Sequence, residues 1–292
     1  MNCRRRLAAI ALALGGVACA RPAGRSSGPT TAGTTTAASA TSDDPAFERL
    51  RHDPALAAIG WSKKYVLSTL DVFVSGSLSG DAAESARIVA RRHYEESGLF
   101  PILTRFSIVP ATADELEDWQ RDDADHVPFV FSQYMVQRSK LLANLPHAKA
   151  MKAELPTAVP ITDYDEGHEY LSISGGMPAE KLALWLVRGR PWQAATILSD
   201  AGTEEVPQSS ELDGMFRRWN ESWGAEPVYI DGRFFVEMTT TKQPTDDASL
   251  RALAWEFFLT CPSDREAFDE EPAARLLGRL RKNRWVCWWF VE

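Results

Sequence analysis

The chain is poor in cysteine and histidine. Four cysteines, Cys3, Cys19, Cys261 and Cys287, and five histidines are spread over 292 residues. No set of them has the spacing of a zinc tetrad, and no HExxH pair occurs, so no metal centre is expected. A phosphate loop, a dinucleotide-binding glycine pattern and a GxSxG elbow are also missing, so no cofactor is expected. Basic residues are outnumbered, 32 Lys and Arg against 40 Asp and Glu. A net charge of −8 repels phosphate backbones, which argues against nucleic acid as a partner and against loose adhesion to anionic lipid. Long apolar runs are missing as well: Leu7 to Ala18, near the N-terminus, is too short for a stable membrane span.

That short run is nonetheless informative. Arg4, Arg5 and Arg6 precede it and small residues follow, the arrangement of a secretory signal over residues 1–20. Gly16-Val17-Ala18-Cys19 resembles the lipobox of bacterial lipoproteins, in which the cysteine becomes the lipidated first residue, although Gly16 stands where Leu is usual. Ala18-Cys19-Ala20 also fits ordinary cleavage after Ala20. The first alternative anchors the protein to a bacterial membrane through Cys19; the second releases it as a secreted or periplasmic protein. Cleavage before Cys19 removes three arginines and takes the formal charge from −8 to −11. Residues 21–43 are almost all Ala, Gly, Ser, Thr and Pro, a disordered tether by composition.

The rest reads as an α+β fold, with a mixed or antiparallel sheet and helices packed on it. An N-terminal α/β part spans 44–180 and a C-terminal α+β domain spans 181–292. In the first, a strand pair is expected over Tyr65–Val74. Asp81 and Glu84 then form a capping box for a helix that stops at Gly98. FPILTRFSIV reads as a buried strand, Ala111–Asp125 as an acidic helix, and Phe129–Leu155 as a helix broken at Pro146. EYLSIS and LALWLV read as strands. The C-terminal order is helix, hairpin, helix, helix, strand. Asp231-Gly232 suits a two-residue hairpin turn. Leu250, Leu253, Ala254, Phe257, Phe258 and Cys261 form one helical apolar stripe. RWVCWWFV closes the chain as an inner strand covered on both faces, with Trp285, Cys287 and Trp289 on one side and Val286, Trp288 and Phe290 on the other. Trp61–Gly98 echoes this order with a tryptophan, a strand pair and a long helix, as a degenerate duplication would.

From about Leu182 onward the chain resembles the bacterial domain-of-unknown-function family 4253. The carrying residues are ALWLVRGRPWQAAT with its Pro191-Trp192 turn, RRWNESWGAEPVYIDGRFFVEM with its Gly224-Ala225 step, the helix ending Cys261-Pro262, and the closing WVCWWFVE. SGLFPIL at Ser97–Leu103 is similar too. The chain departs from the family at Ser263, where an acid is common, and in SDAGTEEVPQSS, which replaces a Trp-Asn-rich loop. The family brings an expected fold and no reaction.

Candidate sites are sparse. Eight of the ten tryptophans lie from Trp185 onward. Trp219 and Trp255 fall on or near apolar stripes and read as core. Trp192 and Trp223, at turn-like positions, are the tryptophans suited to binding. Asp163, Asp165, Glu166 and His168 crowd the segment DYDEGHE, but Gly167 and His168 break the calcium-loop pattern, and the segment reads as a solvated loop. His93 shares a helix face with Ala86, Val89 and Ala90, as a packed, hydrogen-bonded histidine would. Cys261, on a core-facing stripe, makes a poor nucleophile. Cys261 and Cys287 either bridge or lie buried as separate thiols.

These features point to an exported envelope protein, lipid-anchored at Cys19, whose acidic domain binds a protein or cell-wall partner and is not an enzyme. The alternatives are an envelope hydrolase with carboxylates that the sequence does not pair, and an immunity-type protein against a basic toxin.

Overall fold

The computed structural model describes residues 43–67, 70–108, 129–160, 181–198, 207, 209–231, 235–261 and 272–289. The signal, Cys19, the tether up to residue 42, Ala111–Asp125, DYDEGHE and EYLSIS lie outside them.

The chain opens with helix α1 (Pro45–Arg51), whose N-cap Asp44 accepts from the Ala46 and Phe47 amides. Strands β1 (Trp61–Leu67) and β2 (Leu70–Ser75) form the expected pair. Helices α2 (Gly80–Arg92) and α3 (Tyr94–Ser97) follow, and then strand β3 (Leu99–Arg105). The expected capping box is not formed. Ser79 is the N-cap, which places Asp81 inside the first turn, and Glu84 is held by Arg87 at 2.8 Å. Gly98 ends the helical stretch at φ 67°, a conformation that costs a glycine little. The break at Pro146 separates α4 (Phe131–Leu142) from α5 (Pro146–Glu154), since proline serves at the first position of a new helix.

Strand β4 (Leu182–Arg188) and helix α6 (Pro191–Leu198) come next. The C-terminal order is then as expected: α7 (Ser209–Trp223), the hairpin β5 (Glu226–Asp231) and β6 (Phe235–Thr239), α8 (Asp247–Thr260), α9 (Pro272–Leu280) and β7 (Arg284–Trp288). Asp231 pairs with Phe235 across the hairpin, and Gly232 of the expected turn lies outside the described residues. Gly224 ends α7 at φ 61°, which accounts for the Gly-Ala step.

Among the described residues the seven strands join one mixed sheet, ordered β1-β2-β4-β3-β5-β6-β7. Every pairing is antiparallel except β3 with β5. β4 sits between β2 and β3, so the sheet runs across the division at residue 180. Alternation along the strands feeds two cores. Trp185, Val187, Phe100, Ile102, Val236, Met238, Trp285 and Cys287 point to one face, where α4 to α9 contribute Tyr134, Met151, Ala194, Trp219, Phe257 and Leu276. Leu184, Leu186, Leu103, Tyr229, Phe235 and Val286 point to the other, which α1 and α2 cover with Phe47, Leu50, Ala83, Ala86 and Ala90.

β7 is an edge strand, not the inner strand expected. Trp285, Val286 and Cys287 are buried all the same, because burial needs covered faces and not two hydrogen-bonded neighbours. Trp285 and Trp289 lie in the larger core, and Val286 lies in the smaller one. Cys261 and Cys287 form a disulfide with Cα atoms 5.3 Å apart, tying the end of α8 to β7. The last carbonyls of α8 find side-chain donors: Arg138 Nε donates to Leu259 O at 2.9 Å and Trp289 Nε1 to Thr260 O at 2.8 Å. Among the described residues no helix is long and apolar enough to cross a membrane.

Candidate functional site

Where α4, α5 and α8 meet, the helix layer leaves a cavity of about 430 Å³. Ser139 lines it from α4, Lys152 from α5, Leu155 and Pro156 from the turn after α5, and Arg251 and Trp255 from α8. The geometry follows from the stripe on α8. Leu250, Leu253, Ala254, Phe257 and Phe258 take the core face. Arg251 and Trp255, four residues apart, fall together on its flank. Arg251 Nη1 donates to Ala158 O at 2.8 Å and also to Leu155 O, fixing the guanidinium at the cavity wall. Trp255 is half-buried and stacks on Phe258 at 5.8 Å between ring centroids, 20° from parallel. Its core assignment is thus only partly right: one side packs and the other faces the cavity. Nearby surface is apolar. Val136, one turn before Ser139, is 53% exposed, and Val159, beside Ala158, is 73% exposed.

A second cavity, about 270 Å³, lies between α1 and the α2–α3 corner and has mostly charged and polar residues around it. His93 Nε2 stands 3.2 Å from Asp53 Oδ2, while Asp53 Oδ1 accepts from the Ala55 amide at 2.8 Å. His93 is hydrogen-bonded as expected, but at a surface corner rather than within the helix face, because α2 ends at Arg92. His52 and Glu96 also line this cavity.

Trp192 and Trp223 are half-buried against the larger core. The Arg217 guanidinium lies 5.9 Å from the Trp192 ring. Arg217 precedes Trp223 by six residues, about 9 Å along the helix. Neither tryptophan is among the residues lining the larger cavity. Cys261, being in a disulfide, carries no thiol for nucleophilic attack. Several charged side chains elsewhere tie layers together. Arg91 grips Glu226 of β5 with two bonds of 2.7 and 2.8 Å, and Arg218 of α7 grips Glu256 of α8 with 2.8 and 3.1 Å. Glu237 of β6, fully buried, pairs with Arg284 of β7.

The sequence reading missed Arg251, Lys152 and the outward side of Trp255. A signal was available on α8: Arg251 and Trp255 share one flank beside the apolar stripe. Lys152 carries no such mark, because it depends on how α5 packs.

Residues 183–289 match the family described as Domain of unknown function (DUF4253), so the chain carries a DUF4253 domain at its C-terminal end. The match runs from β4 to Trp289 and includes Arg251 and Trp255, whereas Ser139, Lys152, Leu155 and Pro156 lie upstream of it. No curated protein and no solved structure matches the chain.

Proposed function

We propose that this is an exported protein of the bacterial cell envelope, anchored through a lipidated Cys19, whose acidic domain binds another macromolecule without catalysing a reaction. The observation that carries this reading is the Cys261–Cys287 disulfide. Such bonds persist in oxidising compartments and are rare in the cytosol, which agrees with a secretory signal over residues 1–20. Binding is supported by the mainly apolar cavity among α4, α5 and α8, whose volume falls in the range of ligand sites, roughly 300–1,000 Å³. The pairing of Arg91 with Glu226 and of Arg218 with Glu256 supports a structural role for those charges, since each pair ties two layers together.

Feeding labelled fatty acid to cells expressing the full chain tests the anchor. The wild type should take up label and sediment with membranes, and Cys19→Ala should do neither. Wild-type protein that is wholly soluble, unlabelled and begins at Arg21 would overturn the anchor.

A further inference from the structure

The larger cavity differs in sign from the protein that contains it. The chain carries −8 overall, yet residues 131–154, spanning α4 and α5, hold Arg138, Lys140, Lys149 and Lys152 against the single acid Glu154. Of the six lining residues, two are cations and none is a carboxylate. The others supply an indole face, a leucine, a proline and one hydroxyl. A site of this kind suits a ligand that is anionic at one point and apolar elsewhere. A strongly hydrated dianion such as phosphate fits poorly, since it would trade water for an indole and aliphatic walls.

We propose that this cavity binds a carboxylate carried on an apolar body, as presented by the C-terminal residue of a polypeptide or by a medium-chain fatty acid. For a polypeptide end the proposal rests on the macromolecular binding proposed above and names its ligand class; a fatty acid would make the same cavity a small-molecule site. Arg251 is the anchor for the carboxylate. Its two Nη1 hydrogens are committed to Leu155 O and Ala158 O, which holds the guanidinium still. The Nε–Nη2 edge remains, and that edge grips carboxylates side-on. Lys152 adds a second positive charge one turn before Leu155. The apolar body lies on Trp255, whose ring is backed by Phe258 and therefore loses little freedom on binding. Exposed Val136 and Val159 extend the apolar surface for a longer chain.

Isothermal titration of the purified full chain tests this. The probes are N-acetyl-leucyl-phenylalanine, its C-terminal amide, decanoate and decanamide. At least one free acid should bind, with its amide at least tenfold weaker. Lys152→Met should weaken the acid about tenfold at unchanged melting temperature, because this side chain is exposed. Trp255→Ala should weaken acid and amide alike. Binding of the peptide acid alone assigns the ligand to a polypeptide end, and binding of decanoate alone assigns it to a fatty acid; both support the proposal. Equal affinity for acid and amide, an acid affinity unmoved by Lys152→Met and Trp255→Ala, or no heat with any probe at millimolar concentration would overturn it. Fatty-acid labelling at Cys19 reads the envelope assignment separately, so a failed cavity leaves that result standing.

Discussion

The hairpin β1–β2 with α2, α3 and β3, and the hairpin β5–β6 with α8, α9 and β7, run through the same order of elements but close differently. In the C-terminal unit β7 returns to pair directly with β6, and the helices lie over the face that holds the tryptophans. In the N-terminal unit β3 does not reach β2, because β4 takes the place between them, and α2 lies on the opposite face. The packing chemistry differs accordingly. α2 presents Ala83, Ala86 and Ala90, whereas α8 presents Leu253, Phe257, Phe258 and a bridged cysteine. Element order alone therefore does not make the two units copies. What separates them is the size of the side chains each helix buries, and how much cross-linking supports that burial.

Predictions can sharpen this contrast. The largest effect is expected in the C-terminal unit. Trp219 stacks on Phe257 at 5.2 Å and meets Trp285 edge-on at 6.3 Å. Trp219→Ala or Trp285→Ala should cost about 3–5 kcal/mol in urea unfolding. A cost near zero for both would break the picture of a tryptophan core. Glu237→Gln should cost less than Arg284→Met. The arginine substitution leaves a fully buried carboxylate uncompensated, a loss of about 3–5 kcal/mol, whereas the amide removes the charge. Melting curves of the two variants give the order directly. Replacing Cys261 and Cys287 together by alanine should remove about 3–4 kcal/mol, from the loop that this bond closes over a separation of 26 residues.

Smaller effects come from titration and from the N-terminal unit. Burial pushes the Tyr134 hydroxyl up to about 12, although Arg138 and the bond to Thr260 pull it down. Tyr134 bonds from α4 to the end of α8. Because the folded value lies above the unfolded one of about 10, its contribution is complete below pH 10. That contribution, on the order of 2–3 kcal/mol, is lost as pH rises from about 10 to 12. Tyr134→Phe should flatten stability across that window. Asp44 behaves in the opposite sense. Burial alone would raise its carboxyl, but the Arg188 guanidinium and the Phe47 and Ala46 amides outweigh it and hold the carboxyl below its ordinary value. Its stabilisation is present above the usual carboxylate range and fades as pH falls below it. Asp44→Ala should cost only about 1–2 kcal/mol, the worth of a helix cap. A loss as large as that of Trp219→Ala would erase the contrast between the units.

Much of this fold is legible from short-range pattern. The α8 stripe and the strands of both hairpins follow from periodicity, and the break at Pro146 and the stop at Gly98 follow from proline and glycine chemistry. The sheet order does not. Placing β4 between β2 and β3, or β7 at the edge, depends on long-range pairing that alternation cannot distinguish. The capping box at Asp81 and Glu84 does not form because α2 starts earlier, with Ser79 as its N-cap, and Glu84 pairs with Arg87 instead. The larger cavity was hidden for the same reason as the sheet order, because Lys152 and Trp255 are 103 positions apart in the numbering and meet only through packing. The disulfide was half visible: both cysteines pointed to the core, and only the edge position of β7 next to the end of α8 decides that they meet.

Export and an oxidised, stapled C-terminal unit both leave a mark on the intact mass of the protein extracted from its own membranes. The expected mass is that of a chain that begins at Cys19, heavier by a lipid and lighter by the two hydrogens of the Cys261–Cys287 bond. A mass equal to the unmodified chain from Arg21, or one with both thiols intact, would contradict it.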